Sequence, residues 1–250
     1  MSDLLKPLRW FALCVVLAFA LVKMPARAIT LMLPDTLQLE GFSGSLWQGH
    51  AARARFFFGD KAFYLGRLSW NMSPATFLIF TPSLDLHTRW GTQTADLRLQ
   101  LTPSAIKLSE IDATLDVRFV RQLVPLYAGG LLLVDLDYLQ IARDQAPQIG
   151  GSIMWEQAVW TARGRDVGLG NYKIVFDASS ESQLGPTVGK ITTASGALVA
   201  KGQVTLSSDK YGVDVALSGP ALENNALRDA LQLMAVPSEE GLLIEISGEL

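Results

Sequence analysis

Apolar and polar residues alternate along most of this chain with a period of two. Residues 94–101, 111–119 and 210–217 each place an apolar side chain at every second position. A two-residue period sends the apolar side chains of a strand to one face and the polar side chains to the other. The pattern therefore predicts a mainly β fold of antiparallel strands, with one apolar face and one solvated face.

Turn signals separate these runs at the intervals typical of a meander. They are short clusters of Gly, Pro, Ser, Thr and Asp at residues 102–103, 129–130, 207–209 and 218–220. The alternation is interrupted near residues 140–150, and we expect two layers of the sheet to meet there. Because no charged or low-complexity linker divides the chain, we predict one elongated β domain.

Two segments predict short helices instead. Residues 73–80 open with Ser-Pro, the residue types of an N-cap and a first helical turn. Residues 224–234 place apolar side chains on one helical face. Pro237 is expected to end this second helix, and Gly241 to turn the chain into a last strand at Leu242–Ser247.

A glycine-rich motif occupies residues 41–49, with the sequence GFSGSLWQG, and residues 150–155 and 195–198 contain shorter relatives of it. Glycine permits positive φ in a tight turn, and the large apolar residue that follows can pack on a sheet face. The motif does not fit a nucleophile elbow, because its second glycine is misplaced and no strand–helix alternation surrounds it. We predict that all three segments open strands of a repeated sheet, and that Trp47 is a packing residue.

An uncharged apolar run, residues 10–22, lies between Arg9 and Lys23. It is shorter than the roughly 20 residues of a full transmembrane helix, but flanking basic side chains can extend a short span. The alternative is a cleaved signal peptide, because residues 26–28 have the Ala-x-Ala pattern of a cleavage site. In both cases the residues after 28 cross the membrane and are exported.

The overall charge narrows the choice of partners. The 250 residues carry a formal charge of −3, and without residues 1–28 the chain keeps 17 basic and 23 acidic residues, a net charge of −6. An acidic body lacks the basic surface that binds nucleic acid or anionic lipid headgroups, so we expect no nucleic acid partner. Cys14, inside the apolar run, is the only cysteine, which excludes a disulfide and a cysteine-based metal site or nucleophile.

Side chains suited to chemistry are few and scattered. His50 and His87 lie 37 positions apart with no carboxylate at ligand spacing, and we interpret both as solvent-facing strand residues. Asp135 and Asp137 share a strand face that could seat a cation, but they also fit a solvated face opposite the apolar residues of that strand. We predict no catalytic, cofactor-binding or metal site, and a protein that is not an enzyme.

Several signatures follow one another in a specific order after the N-terminal apolar segment. They are GSLWQG at 44–49, LGRLSW at 65–70, Ser-Pro at 73–74, GGSIMW at 150–155, LGNY at 169–172, GAL at 196–198, GQVTL at 202–206, NALR at 225–228 and SGEL at 247–250. Together they resemble the type II secretion system protein N family, also called general secretion pathway protein N. The resemblance covers essentially the whole chain.

The resemblance implies a cytoplasmic tip and an uncleaved transmembrane anchor in residues 1–28, and a periplasmic β domain in residues 29–250. Such a protein would cross the cell inner membrane once, through residues 8–24, with its N-terminus in the cytoplasm. The family is similar to AsmA-like proteins, so the resemblance also implies a curved antiparallel sheet with an apolar inner groove and two short helices. Members are accessory components, without known enzymatic activity, of the machine that moves folded proteins across the outer membrane.

Two functions of different classes follow as hypotheses, and neither requires a cofactor. The first is structural: the periplasmic domain contacts other type II secretion components, either the inner-membrane platform or the outer-membrane secretin, with strand edges as docking sites. The second is lipid binding. One-faced strands that curl without closing would leave a groove for an acyl chain.

Overall fold

The computed structural model describes residues 19, 23–31, 33, 35–58, 61–74, 81–102, 104–120, 128–143, 145–162, 165–177, 185–238 and 241–249. These residues form one open antiparallel sheet of 14 strands. Strands β1 to β12 follow one another in sequence order, and β14 then lies between β12 and the short edge strand β13. The predicted mainly β, antiparallel fold is confirmed.

The strand bounds show a meander of long strands in the middle of the chain. They are β1 (Leu37–Gly44), β2 (Gln48–Phe58), β3 (Lys61–Met72), β4 (Ser83–Trp90), β5 (Gln93–Leu101), β6 (Ala105–Asp116), β7 (Ala128–Ala142), β8 (Gln148–Ala162), β9 (Arg165–Phe176), β10 (Thr187–Gly196), β11 (Val199–Leu206), β12 (Lys210–Ser218), β13 (Ala235–Ser238) and β14 (Gly241–Glu249). Short helices accompany them: 3₁₀ helices at Ala26–Leu31 and Pro220–Glu223, and the α-helices α1 (Val117–Val120) and α2 (Asn225–Gln232).

The second predicted helix is confirmed as α2, although it ends two residues earlier than expected. The side chain of Asn224 caps it by accepting a hydrogen bond of 3.1 Å from the Leu227 backbone N–H. The last strand is confirmed and longer than predicted, whereas β13 was not predicted. The other predicted helix, residues 73–80, lies outside the described residues from residue 75 onward.

Within the described residues, no helix combines the length and apolar composition needed to cross a bilayer. The predicted anchor, residues 8–24, lies outside them except for Phe19, Lys23 and Met24. The predicted domain boundary at residue 28 falls inside the 3₁₀ helix Ala26–Leu31, which packs beside β1 and β2.

The alternation of the sequence produces two faces, as predicted. Between β4 and β5, Leu86 lies opposite Leu97 on the apolar face, and His87 lies opposite Asp96 on the polar face. Residues directly opposite in an antiparallel pair share a face, so the same division continues from strand to strand.

The expected junction of two layers near residues 140–150 is wrong. β7 and β8 pair directly there, with Gln140 opposite Gln148, and the residues between the two strands connect a hairpin. The alternation is interrupted because Pro147 lies in the connection between the two strands, where its lack of an N–H costs no ladder hydrogen bond. The turn predicted at residues 129–130 is also wrong, since both glycines lie within β7, beside an irregularity in its pairing with β8.

The strand predicted over residues 111–119 ends early. β6 stops at Asp116, whose Oδ1 accepts a hydrogen bond of 2.8 Å from the backbone N–H of Arg118. An Asp side chain that captures a nearby N–H favours the start of a helix over a continued ladder. The chain therefore enters α1 although its apolar and polar residues still alternate.

The glycine-rich motif forms the turn from β1 to β2. Gly44 ends β1 with a φ of 91° and lies opposite Gly49, and the Ser45 backbone N–H donates a 2.8 Å hydrogen bond to Gln48 O. Trp47 is half-buried against the N-terminal core, so its predicted packing role is confirmed. The relative at residues 195–198 likewise forms the β10–β11 turn, but Gly151 lies inside β8 and opens no strand.

A second use of glycine recurs across the described strands. An aromatic side chain lies directly opposite a glycine in the pairs Trp70–Gly49, Tyr138–Gly150, Phe176–Gly189 and Tyr211–Gly248. A Cβ atom added to Gly49 would lie 2.6 Å from Cζ2 of Trp70, and one added to Gly248 would lie 2.6 Å from Cε1 of Tyr211. The missing side chain thus leaves room for each ring to lie across the neighbouring strand.

The apolar face carries three clusters of buried side chains, and a helix covers the clusters at the two ends. Ile29 of the first 3₁₀ helix and Leu227 of α2 are both fully buried, at about 1% exposure. Among the described residues, the buried members of the central cluster are Ile111, Leu136 and Phe176. A helix therefore packs on the core at each end of the sheet, and the core is thinner between them.

Candidate functional site

One register row crosses the polar face from β2 to β7. Its members lie directly opposite one another in the order His50, Ser69, His87, Asp96, Asp112 and Asp135. The two histidines, far apart in sequence, therefore share a face with a single strand between them. The side chain of His87 is 39% exposed, and that of His50 is partly exposed, in agreement with their prediction as solvent-facing strand residues.

Three members of this row have the residue types of a nucleophilic triad. Nδ1 of His87 is paired with the Asp96 carboxylate, but among the described residues Ser69 forms no hydrogen bond with His87. Ser69 lies on a strand paired on both sides, so the backbone N–H groups around it serve the ladders and not an oxyanion. The row lacks the geometry of a nucleophilic site.

A shallow depression of about 620 Å³ lies over the same row. Arg98 crosses it, with Nε donating to Asp85 at 2.7 Å and Nη1 donating to Glu110 at 2.6 Å. The hydrogen bond and charge of Asp85, together with the charge of Glu110, raise the pKa of Arg98. Glu110 has a φ of 51° at an irregularity in the β5–β6 pairing. The guanidinium of Arg98 and the carboxylates of Asp85 and Glu110 are thus paired with one another.

The acidic pair on β7 has the environment predicted for a solvated face. Asp135 and Asp137 are exposed, while Leu136 and Tyr138 beside them are buried. In the part of the chain that the structure describes, no group of three His, Cys, Asp or Glu side chains is arranged to hold a metal ion.

The apolar face contains a groove of about 420 Å³ between the strands of its C-terminal half and α2. Its lining is apolar apart from the tips of its aromatic residues and consists of Ala128, Leu132, Ile153, Trp155, Trp160, Leu169, Tyr172, Ile174, Ile191, Leu198, Ala200, Val213, Val215, Leu217, Leu227, Leu231, Met234, Ile244 and Ile246. We call this the C-terminal groove. The sequence alternation predicted the apolar face and led to the hypothesis of a groove along it, but it did not predict the position of this opening, which depends on how far α2 covers the strands.

Two aromatic side chains of the C-terminal groove direct their polar atoms to the backbone. The Tyr172 hydroxyl donates to Leu198 O at 2.8 Å, and Trp155 Nε1–H donates to Gly129 O at 3.1 Å. Burial raises the pKa of Tyr172 to about 12, so the phenol is neutral at physiological pH. The groove therefore offers an apolar surface without a charged anchor.

Comparisons with known proteins give one consistent result. A family model described as "Type II secretion system (T2SS), protein N" matches residues 35–244. A protein named type II secretion system protein N from Vibrio cholerae serotype O1 is 26% identical over 153 residues, which cover 58% of this chain and 59% of that protein. A protein of the same name from Aeromonas hydrophila is 37% identical over 73 residues, covering 28% of this chain and 27% of that protein. Both alignments span less than two thirds of the relative, and no solved structure matches.

Proposed function

Because its family model matches residues 35–244, the chain belongs to the type II secretion system protein N family, and we propose that it is an accessory structural component of that system. In this role it supports the export of folded proteins across the outer membrane and catalyses no reaction. The match carries the proposal, since it extends from just before β1 into β14 and so includes nearly the whole sheet.

The surface proposed to act is the open sheet, through contacts with the inner-membrane platform or the outer-membrane secretin. An open sheet ends in two edges, here β1 and β13 with β14, whose backbone groups can pair with a strand from another protein. The proposal gives the row of polar residues no catalytic role, because among the described residues Ser69 forms no hydrogen bond with His87.

We further propose that residues 8–24 anchor the chain in the inner membrane, uncleaved, with residues 29–250 in the periplasm. Contacts upstream of the candidate cleavage site support retention of the N-terminus. Pro25 forms a β-bridge with Ser45, and the carbonyl of Met24 accepts a 2.9 Å hydrogen bond from the Leu46 backbone N–H. Cleavage after residue 28 would remove these contacts from the folded domain.

In-cell crosslinking of the full chain at its natural level tests this proposal. We expect recovery of the chain covalently joined to another type II secretion component, and N-terminal sequencing of the recovered chain is expected to begin at or next to Met1. Recovery of no secretion component from cells with an assembled, active system would refute the structural role. A sequence beginning at residue 29 would instead refute the anchor and leave the structural role intact.

The C-terminal groove favours a second candidate function, the binding of a single acyl chain. Its volume of about 420 Å³ lies within the range of small-ligand sites, and its surface is apolar. The side chains of this apolar face do not fill the groove. An alkyl chain that displaces water from it would stabilise the complex by about 0.8 kcal/mol for each buried CH₂ group.

Native mass spectrometry of the full chain, released from a minimal detergent, tests the second function. We expect a non-covalent adduct that fragments to a fatty acid, and its loss in Ala200→Phe, because Ala200 lines the groove. Ala216→Phe is the matched control, since Ala216 is exposed and lies opposite Lys201 on the polar face. An adduct absent from the unmodified chain, or equally abundant in Ala200→Phe, would exclude acyl-chain binding in the groove.

A further inference from the structure

The two edges of the sheet differ in how they are covered. At the β1 edge, the incoming chain forms the Pro25–Ser45 bridge and the 3₁₀ helix Ala26–Leu31 packs beside the strand. At the other edge, β13 pairs only with Gly241–Ile244 of β14. In the described residues no strand pairs with the outer side of Glu245–Glu249, which we call the open edge.

The open edge is regular along its whole length. Its inner side continues an uninterrupted ladder with β12, from Asp214 opposite Glu245 to Lys210 opposite Glu249. Five residues in extended conformation give about 16 Å of backbone, half of whose N–H and C=O groups point away from β12. The open edge is therefore long enough to receive a strand.

Natural sheets usually protect such an edge with a proline, a bulge or a lysine. β13 follows this rule, because it is short and contains Pro237. The open edge, with the sequence Glu-Ile-Ser-Gly-Glu, contains no proline, bulge or lysine and is protected by the negative charge of its two glutamates. Its regular ladder, together with that charge, suits the addition of a strand that carries positive charge.

The two faces beside the open edge specify different side chains on an added strand. On the apolar face, Ile246 is 40% exposed and Met234 is 44% exposed, and both line the C-terminal groove. On the polar face, Asp214 and Glu245 lie opposite each other and Glu249 lies opposite Lys210; the three carboxylates are exposed and form no ion pair with any described residue. A complementary strand alternates apolar side chains with basic ones.

A second copy of this chain, paired along the full length of the open edge, does not meet these requirements. An antiparallel pairing of two open edges, centred on Ser247, would place Glu245 of each copy opposite Glu249 of the other. Like charges directly opposite one another destabilise a strand pair. The charge pattern thus disfavours self-association and favours a different protein with positive charge.

We propose that Glu245–Glu249 of β14 binds, by strand addition, an extended segment of another protein that alternates apolar residues with Lys or Arg. The apolar side chains of that segment pack against Ile246 and Met234, and the basic ones pair with the carboxylates of Asp214, Glu245 and Glu249. The identity of the partner as a secretion component rests on the proposed function, but the chemistry of the segment rests on the edge alone.

A photo-reactive amino acid at position 247 of the full chain, activated in cells, tests the proposal. We expect a crosslinked peptide with alternating basic and apolar residues. The double variant Glu245→Lys with Glu249→Lys is expected to reduce its yield about tenfold, because it replaces attraction by repulsion at the edge. The matched control makes the same charge change in the middle of the polar face, Asp112→Lys with Asp135→Lys, and is expected to leave the yield unchanged.

Three results would overturn strand addition at the open edge. They are a crosslink to a second copy of the chain, an equal loss in the control variant, and no crosslink from position 247 while general crosslinking still recovers a secretion component. The last result leaves the proposed function standing. Recovery of the expected peptide from a protein outside the secretion system would support the edge and count against the proposed function. Unfolding in urea, followed by tryptophan fluorescence, establishes that the variants are folded.

Discussion

Replacing Gly170 by alanine is expected to lower the free energy of unfolding by about 3 kcal/mol. Gly170 has a φ of 139° and lies directly opposite Gly196, which has the same φ. A Cβ atom on Gly170 would lie 2.6 Å from the Cα of Gly196 and would also overlap Ser195 O. The backbone strain costs about 1–3 kcal/mol and relief of the overlap a similar amount, because β9 and β10 must separate.

Gly168→Ala is the matched control, two residues away on the same strand. A Cβ atom there meets nothing within 4 Å, and Gly168 does not have a left-handed φ. We expect this variant to be as stable as the original or more stable by about 0.5 kcal/mol, since alanine restricts the unfolded chain. Urea unfolding followed by tryptophan fluorescence measures both. Equal stability of the two variants would contradict the close approach of the two backbones.

The faces of this sheet could be predicted from the sequence, because the two-residue period is a local property. His87 and Leu86 lie on opposite faces because they are adjacent in sequence, and successive side chains of a strand alternate between its faces. The α2 helix could be predicted as well, since its cap Asn224 and its apolar face lie within a dozen residues. Both features depend on neighbours along the chain.

Which residues lie opposite one another on neighbouring strands depends on the register of each pair, and no short stretch of sequence determines that register. Register irregularities at residues 109–112 and 155–158 change which residues lie opposite one another. The row from His50 to Asp135 therefore appears only when every intervening ladder is known. The turn predicted from the two glycines at residues 129–130 is wrong for a related reason: glycine also suits pairing irregularities within a strand.

The C-terminal groove has a floor that follows from local sequence and a depth that follows from the long-range packing of α2. Its floor follows from the alternation, but its depth depends on where α2 packs on β8 and β13 and on Leu227, which is buried in one cluster with Tyr172 of β9 and Ala200 of β11. α2 is too short to be stable alone, so its apolar contacts with the sheet hold it in place. The buried anchor of α2 is consequently the most sensitive point of the groove.

Leu227→Ala is expected to lower the free energy of unfolding by about 3 kcal/mol and to loosen α2 before the sheet. Leu227 is about 1% exposed and joins α2 to the cluster of buried side chains at the C-terminal end of the sheet. Truncating a buried leucine usually costs about 2–5 kcal/mol, depending on how far the surroundings close the cavity. Because α2 packs on β8 and β13, on the C-terminal side of the sheet from β2–β5, hydrogen exchange at residues 225–232 should accelerate more than exchange in β2–β5.

Leu233→Ala provides the control, because Leu233 caps the same helix yet is 87% exposed. We expect its unfolding curve and its hydrogen exchange to match those of the unmodified chain. Faster exchange spread evenly over all strands in Leu227→Ala would show that the sheet unfolds as one unit with α2. An unchanged exchange rate at residues 225–232 would show that Leu227 does not anchor the helix. If α2 alone loosens, the groove has a movable wall, and access to its apolar floor is set by the packing of one leucine.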